Sequence, residues 1–243
     1  MSAEKTLAIL DLFDFENRAL TVSEIAKRLN QPVSSSYRHL RVLKDFGYIM
    51  ESSDGKYRLG YRFLKMARIV RSDNSLMTVS RPIMEKLMEE TEETIILSVR
   101  SNFQAVCLDI IPSPRPVKVT SVQGGIVPLH CGATSKALLV SMNEQFIDNL
   151  FEQGLVKKYR ENTLIDKKSL IEDIERIRHE GYSFSDSELD DGVVSYGVPI
   201  HDYNGNVVAS LGISGPRERM IDQDRHLFVD KLKKAGKEIE QYI

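Results

Sequence analysis

Residues 31–47, QPVSSSYRHLRVLKDFG, decide how the first third of the chain is read. The apolar residues Val33, Tyr37, Leu40 and Leu43 recur at steps of four, three and three, the period of one helical face, and that face is expected to be buried. Between them stand Ser34, Ser35, Ser36, Arg38, His39 and Arg41. Short hydroxyls and cations of this kind reach phosphates and base edges from a helix lying in a major groove. An ordinary surface helix with a solvated charged face would give the same pattern, so the flanking segments have to decide.

Upstream, Thr21 and Glu24 in TVSE have the spacing of a capping box, in which each side chain satisfies the other residue's free backbone N–H. A helix is therefore expected from Val22 through Ile25, Ala26 and Leu29, stopping at Asn30, with Pro32 just inside the next helix, where its missing N–H costs nothing. Downstream, Tyr48 to Glu51 and Lys56 to Leu59 are strand-like runs around Asp54-Gly55, a pair suited to a hairpin tip. That hairpin would be a wing carrying Lys56 and Arg58 beside the reading helix, placed for backbone or minor-groove contact. From Lys27 to Arg71 there are eleven Lys and Arg against three Asp and Glu, a net charge of +8. The whole chain carries −2. A basic segment inside a mildly acidic protein is the footprint of phosphate contact.

At 243 residues and 42% hydrophobic composition, the chain is long enough for two modest cores, and two domains are expected. No apolar run approaches the roughly 20 residues that span a bilayer. The opening MSAEKTLAILDLFDF has acids within its apolar stretch and no small-residue cleavage site, so a cytoplasmic protein without membrane attachment is expected. Cys107 and Cys131, the only cysteines, are too few for a disulfide framework and are expected to be reduced thiols. No cofactor and no metal site is expected.

The pattern predicts a first helix over Ala3 to Phe15, using Leu7, Leu10, Phe13 and Phe15. A basic linker helix over Tyr61 to Arg71 has Phe63, Leu64, Ala67 and Val70 as a packing or dimer seam. Asp73, Asn74 and Ser75 form a polar break, giving domains at 1–60 and 76–243 around a linker at 61–75. Beyond it, helices are expected at Leu76–Glu93, Thr134–Met142, Glu144–Gln153, Lys167–Gly181 and Asp222–Tyr242. Strands are expected at Thr94–Arg100, Gln104–Ile111, Val117–Val122, Tyr182–Asp186, Val194–Asp202 and Val207–Ser214, with a hairpin tip at Asn204-Gly205. This is an α+β domain with an antiparallel sheet. Residues 76–243 hold twenty cations against 26 anions, a charge of −6, unsuited to holding DNA.

TVSEIAKRL, PVSSSYRHLRVL, GGIVPLHCGATSKALL and GYSFSDSELDDGVVSYGVPIHDYNGNVVASLGISGP, in this order, resemble the IclR family of bacterial transcription regulators over essentially the whole chain. The resemblance implies an N-terminal winged helix-turn-helix that binds a palindromic operator in double-stranded DNA and a C-terminal GAF-like domain that binds a small-molecule effector. It also implies a homodimer, often a dimer of dimers, with repression the expected outcome. The family usually has Ser-Thr before its recognition-helix Arg; here Ser34, Ser35 and Ser36 precede Arg38.

For the effector, Cys131, Gly132, Ala133, Thr134 and Ser135 lead into a helix, where free N–H groups among small side chains can cradle a carboxylate or phosphate. An organic acid is the expected ligand, although the same small residues would also serve close backbone packing. The resemblance adds Ser185, Asp186, Glu188 and Ser195 as partners, with Ser185 at a position often acidic in the family and Ser195 at one sometimes Cys. The rival reading is an enzyme that uses the winged helix for localisation. It would need convergent groups, and His130 beside Cys131 points to opposite faces on an extended segment.

Overall fold

The computed structural model describes residues 2–72, 75–222 and 225–243. It divides into two compact units, 1–74 and 75–243. The expected break at Asp73 and Asn74 lies outside the described residues, while Ser75 opens a helix.

The first unit holds α1 (Ser2–Leu10), α2 (Val22–Arg28), α3 (Val33–Asp45), β1 (Ile49–Glu51), β2 (Tyr57–Leu59) and α4 (Arg62–Ser72). The capping box starts α2: Thr21 N–H donates to Glu24 Oε2 at 2.8 Å and Glu24 N–H to Thr21 Oγ1 at 3.3 Å. Asn30, at φ 49°, turns the chain. Pro32 is the N-cap of α3, one residue earlier than expected. The wing closes through Gly55 N–H on Ser52 O at 3.0 Å, with Gly55 at φ 72°. Ile9, Leu20, Ile25, Leu40, Leu43, Ile49 and Tyr57 form the core.

Two expectations for this unit need correction. Helix α1 ends at Leu10 rather than Phe15, because Asp14 Oδ1 accepts the N–H groups of Glu16 and Asn17 at 2.8 and 2.6 Å. A side chain that bonds its own backbone in this way competes with the helix. The buried seam of α3 runs through Ser36, Leu40 and Leu43, whereas Val33 and Tyr37 are 43% and 51% exposed. The apolar stripe of α4, expected as a packing or dimer seam, is uncovered in the single chain, with Leu64 69% and Val70 59% exposed.

The second unit holds α5 (Ser75–Thr91), β3 (Thr94–Ser101), β4 (Gln104–Ile111), β5 (Ile126–Pro128) and α6 (Ala133–Ala137), which runs into a 3-10 turn at Leu138–Ser141. Then come α7 (Glu144–Glu152), α8 (Lys167–Glu180), β6 (Ser183–Asp186), β7 (Val193–His201), β8 (Val207–Pro216), α9 (Arg217–Asp222) and α10 (Arg225–Glu240). One antiparallel sheet runs β5-β4-β3-β8-β7-β6. Residues 117–122 form no strand. Thr94 Oγ1 and Arg219 donate to the carbonyls of Val119 and Val117, both at 2.9 Å, so side chains occupy backbone acceptors that a ladder would use.

Side chains directly opposite in a ladder share a face. On one face Ile95, Leu97, Val194, Tyr196, Val198, Leu211 and Ile213 pack with Met84 and Leu87 of α5 and with Phe228 and Leu232 of α10. The other face has a different chemistry. One row across it reads Ser185, Ser195, Ser214, Thr94; the next reads Ser183, Gly197, Gly212, Ile96; a third reads Pro199, Ser210, Ser98. The short helix α6 lies on this face. A Cβ at Gly212 would sit 2.3 Å from Thr134 Cγ2 and one at Gly197 2.8 Å from Ala133 O, so the two glycines are what let α6 approach.

Candidate functional site

On α3 the structure sorts the expected contact residues into three groups. Ser34, Arg38 and Arg41 line the exposed face, with Arg41 only 3.9 Å from Asp45. Ser35 is half-buried, and so is His39, whose Nδ1 lies 2.8 Å from Thr6 Oγ1 of α1. Ser36 is fully buried, its hydroxyl returning to Pro32 O at 3.4 Å. It is packing, not a reader: it lies at i−4 and i−7 from Leu40 and Leu43, on the buried seam. On the wing, Lys56 is half-buried, and Arg58 is exposed with its Nε donating to Ser52 Oγ at 3.0 Å. Lys44 of α3 meets Glu51 of β1 at 2.6 Å, a solvent-exposed pair between helix and wing.

In the second unit the expected cradle is already filled from within. Glu188 Oε2 accepts the Gly132 N–H at 2.9 Å, and its Oε1 accepts from Lys136 Nζ. Lys136 is 1% exposed. Its ammonium also donates to Phe184 O at 2.8 Å and lies 2.9 Å from Asp173 Oδ2; Asp173 in turn pairs with Arg176 at 2.6 Å. Two cations and two carboxylates thus alternate, which is how buried charge is tolerated. Glu188 is therefore an internal partner of the α6 start, and the Gly132 N–H is not free.

Asp186 is also displaced from its expected place. Strand alternation turns it away from Ser185, and its carboxylate takes Arg217 Nε at 2.9 and 3.0 Å. Ser185 and Ser195 are opposite one another on the hydroxyl face, both buried. Ala133 and Ser135 are buried in α6, and Thr134 abuts Gly212. Ser135 Oγ and Ser210 Oγ are buried with no hydrogen-bond partner among the described residues. A buried hydroxyl without a partner is costly, and two of them beside a polar sheet face suit a small polar guest.

Sequence reading missed Lys136, hidden within an apolar run, and the serines of β8. The latter had a signal: Ser210, Gly212 and Ser214 alternate with Leu211 and Ile213, the period of a strand with one polar face.

The His130–Cys131 pair makes no nucleophile. Burial pushes the Cys131 thiol up to about 12, with Glu188 adding to the effect. His130 Nε2 contacts Lys157 O at 2.9 Å, and burial holds its imidazole below the usual range. Among the described residues no three His, Cys, Asp or Glu cluster to hold a metal, and no helix is long and apolar enough to cross a membrane.

Comparison with known proteins gives a match in each half of the chain. Residues 2–52 match the IclR helix-turn-helix domain. Relatives include the HTH-type transcriptional regulator KipR of Bacillus subtilis, 26% identical over 239 residues, covering 98% of this chain and 95% of KipR. Another is the HTH-type transcriptional repressor AllR of Escherichia coli, 27% identical over 230 residues, covering 94% and 84%. The same fold is seen in an IclR homolog from Microbacterium hydrocarbonoxydans crystallised with 4-hydroxybenzoate, at a TM-score of 0.80, 22% identity, and coverage of 99% and 98%. Because residues 69–241 match the C-terminal domain of the bacterial transcriptional regulator IclR, a span of more than two thirds of the chain, the protein belongs to the IclR family of bacterial transcriptional regulators.

Proposed function

We propose that this regulator is a cytoplasmic repressor that holds a palindromic operator as a homodimer, or a dimer of dimers, and changes its grip when a small organic acid enters the second unit. Ser34, Arg38 and Arg41 read the major groove from α3, and Lys56 and Arg58 contact the flanking backbone from the wing. The two half-sites lie roughly 34 Å apart or a multiple of that, as a symmetric dimer requires. AllR, named a repressor, supports the sign of the outcome.

One observation carries the ligand reading: this face of the sheet is lined by hydroxyls, and the Oγ atoms of Ser135 and Ser210 are buried with no hydrogen-bond partner among the described residues. With the Gly132 N–H held by Glu188, the ligand's carboxylate meets hydroxyls of this sheet face rather than the helix amide. Hydrogen bonds to a charged group contribute about 1.5–3 kcal/mol each, enough for two or three to hold a small acid. The aromatic acid in the Microbacterium homolog is a precedent for the ligand class. The protonated Cys131 thiol and the engaged His130 favour binding without catalysis.

Binding of the full-length protein to the DNA flanking its own gene, across a salt series and with a panel of small acids, tests this reading. Site-specific binding with a steep salt slope, altered by one acid and no longer altered in Ser195→Ala or Ser210→Ala, is the expected result. Specific binding indifferent to every acid would remove the effector half of the proposal.

A further inference from the structure

Val33 and Tyr37 are large apolar side chains on the reading helix, yet neither belongs to the core of its unit. They stand one turn apart, forming an exposed apolar stripe beside the polar stripe of Ser34, Arg38 and Arg41. Lys44, further along the same flank, pairs with Glu51 of β1 at 2.6 Å, so this flank faces the wing. Tyr37 is near enough to Tyr57 of β2 to add to the upward shift that burial imposes on that phenol. Val33 is the first residue of α3, and the N-terminal residues of a recognition helix are the ones that meet base edges. The one apolar group that a base pair presents in the major groove is the thymine C5-methyl.

We infer that Val33 and Tyr37 form a methyl-reading stripe, so that each operator half-site carries one or two thymines on the wing side of the base pair contacted by Arg38. The inference rests on the reading of α3 as the helix that enters the major groove. It assigns to the two side chains a role in specificity that the polar stripe alone does not provide. An arginine on guanine fixes one base pair; methyl contacts fix its neighbours and set the direction in which the helix reads.

The test starts with sequences selected by the full-length protein from random duplex DNA. Each thymine of the selected site is then replaced in turn by deoxyuridine, which lacks only the methyl. The wild-type protein is expected to lose about fourfold in affinity at one or two positions per half-site, the equivalent of about 0.8 kcal/mol for one buried methylene-sized group. Val33→Ala and Tyr37→Ala, each an exposed substitution whose folding is checked by circular dichroism, are expected to bind the thymine and deoxyuridine sites alike at one position each. Specific binding by the wild type that is indifferent to every methyl overturns the inference while leaving the reading of α3 intact. Failure to select any sequence overturns both.

Discussion

Ser36 and Arg38 sit two residues apart on α3, the first buried and the second exposed. Arg38→Ala is expected to weaken specific binding by about 1–3 kcal/mol and to relax the preference at one base pair, as read from affinities for single-base operator variants. Ser36→Ala is expected to leave that affinity unchanged, since its hydroxyl faces Pro32 O inside the unit. His130 gives the second unit a pH dependence. Burial holds its imidazole below the ordinary value of about 6.5, so the unfolded chain takes up the proton first as pH falls. Stability is then full above about pH 6.5, declines as pH drops toward the depressed folded-state value, and levels off below it. Denaturant midpoints between pH 8 and 5 should show this slope, and His130→Asn should flatten it.

At the level of elements, local signals were the most legible. The capping box at Thr21 and Glu24, the Asp54-Gly55 tip and the Asn204-Gly205 tip each depend on residues within four positions of one another, and each forms as its chemistry requires. Thr21→Ala should cost about 1 kcal/mol, seen as a lower midpoint for unfolding of the first unit with the second unaffected. What failed in the sequence needed knowledge of distant partners. Hydrophobicity ranked Val33 and Tyr37 above Ser36 for the buried seam of α3, yet a small serine fits that seam and the larger pair is left outside. Residues 117–122 have the composition of a strand but yield carbonyls to Thr94 and to Arg219, the latter a hundred residues away. Of the candidate ligand residues, Ser185 and Ser195, named by resemblance, share a face, while Asp186 is engaged by Arg217 and the Gly132 N–H by Glu188. Those last two are long-range ion and hydrogen-bond pairings that no local pattern encodes.

At the level of the whole molecule, the charge is divided between a basic first unit and an acidic second one, and the uncovered stripe on α4 is a ready surface for self-association. Leu64→Glu should shift the protein toward monomer in analytical ultracentrifugation and lower operator affinity together with it, because a symmetric dimer holds its two half-sites at once; operator affinity lost with the dimer intact would place Leu64 elsewhere. The sheet topology also sets an order of events. Strand β3 pairs with β8, from Thr94↔Ser214 to Ser98↔Ser210, so the centre of the second unit waits for residues more than a hundred positions later in the chain. The winged helix is assembled from neighbours in sequence and needs no such delay. At roughly 5–20 residues per second of synthesis, the winged helix can fold several seconds before the sheet of the second unit can close, so each newly made chain passes through a brief infancy with its first unit formed and its second still open.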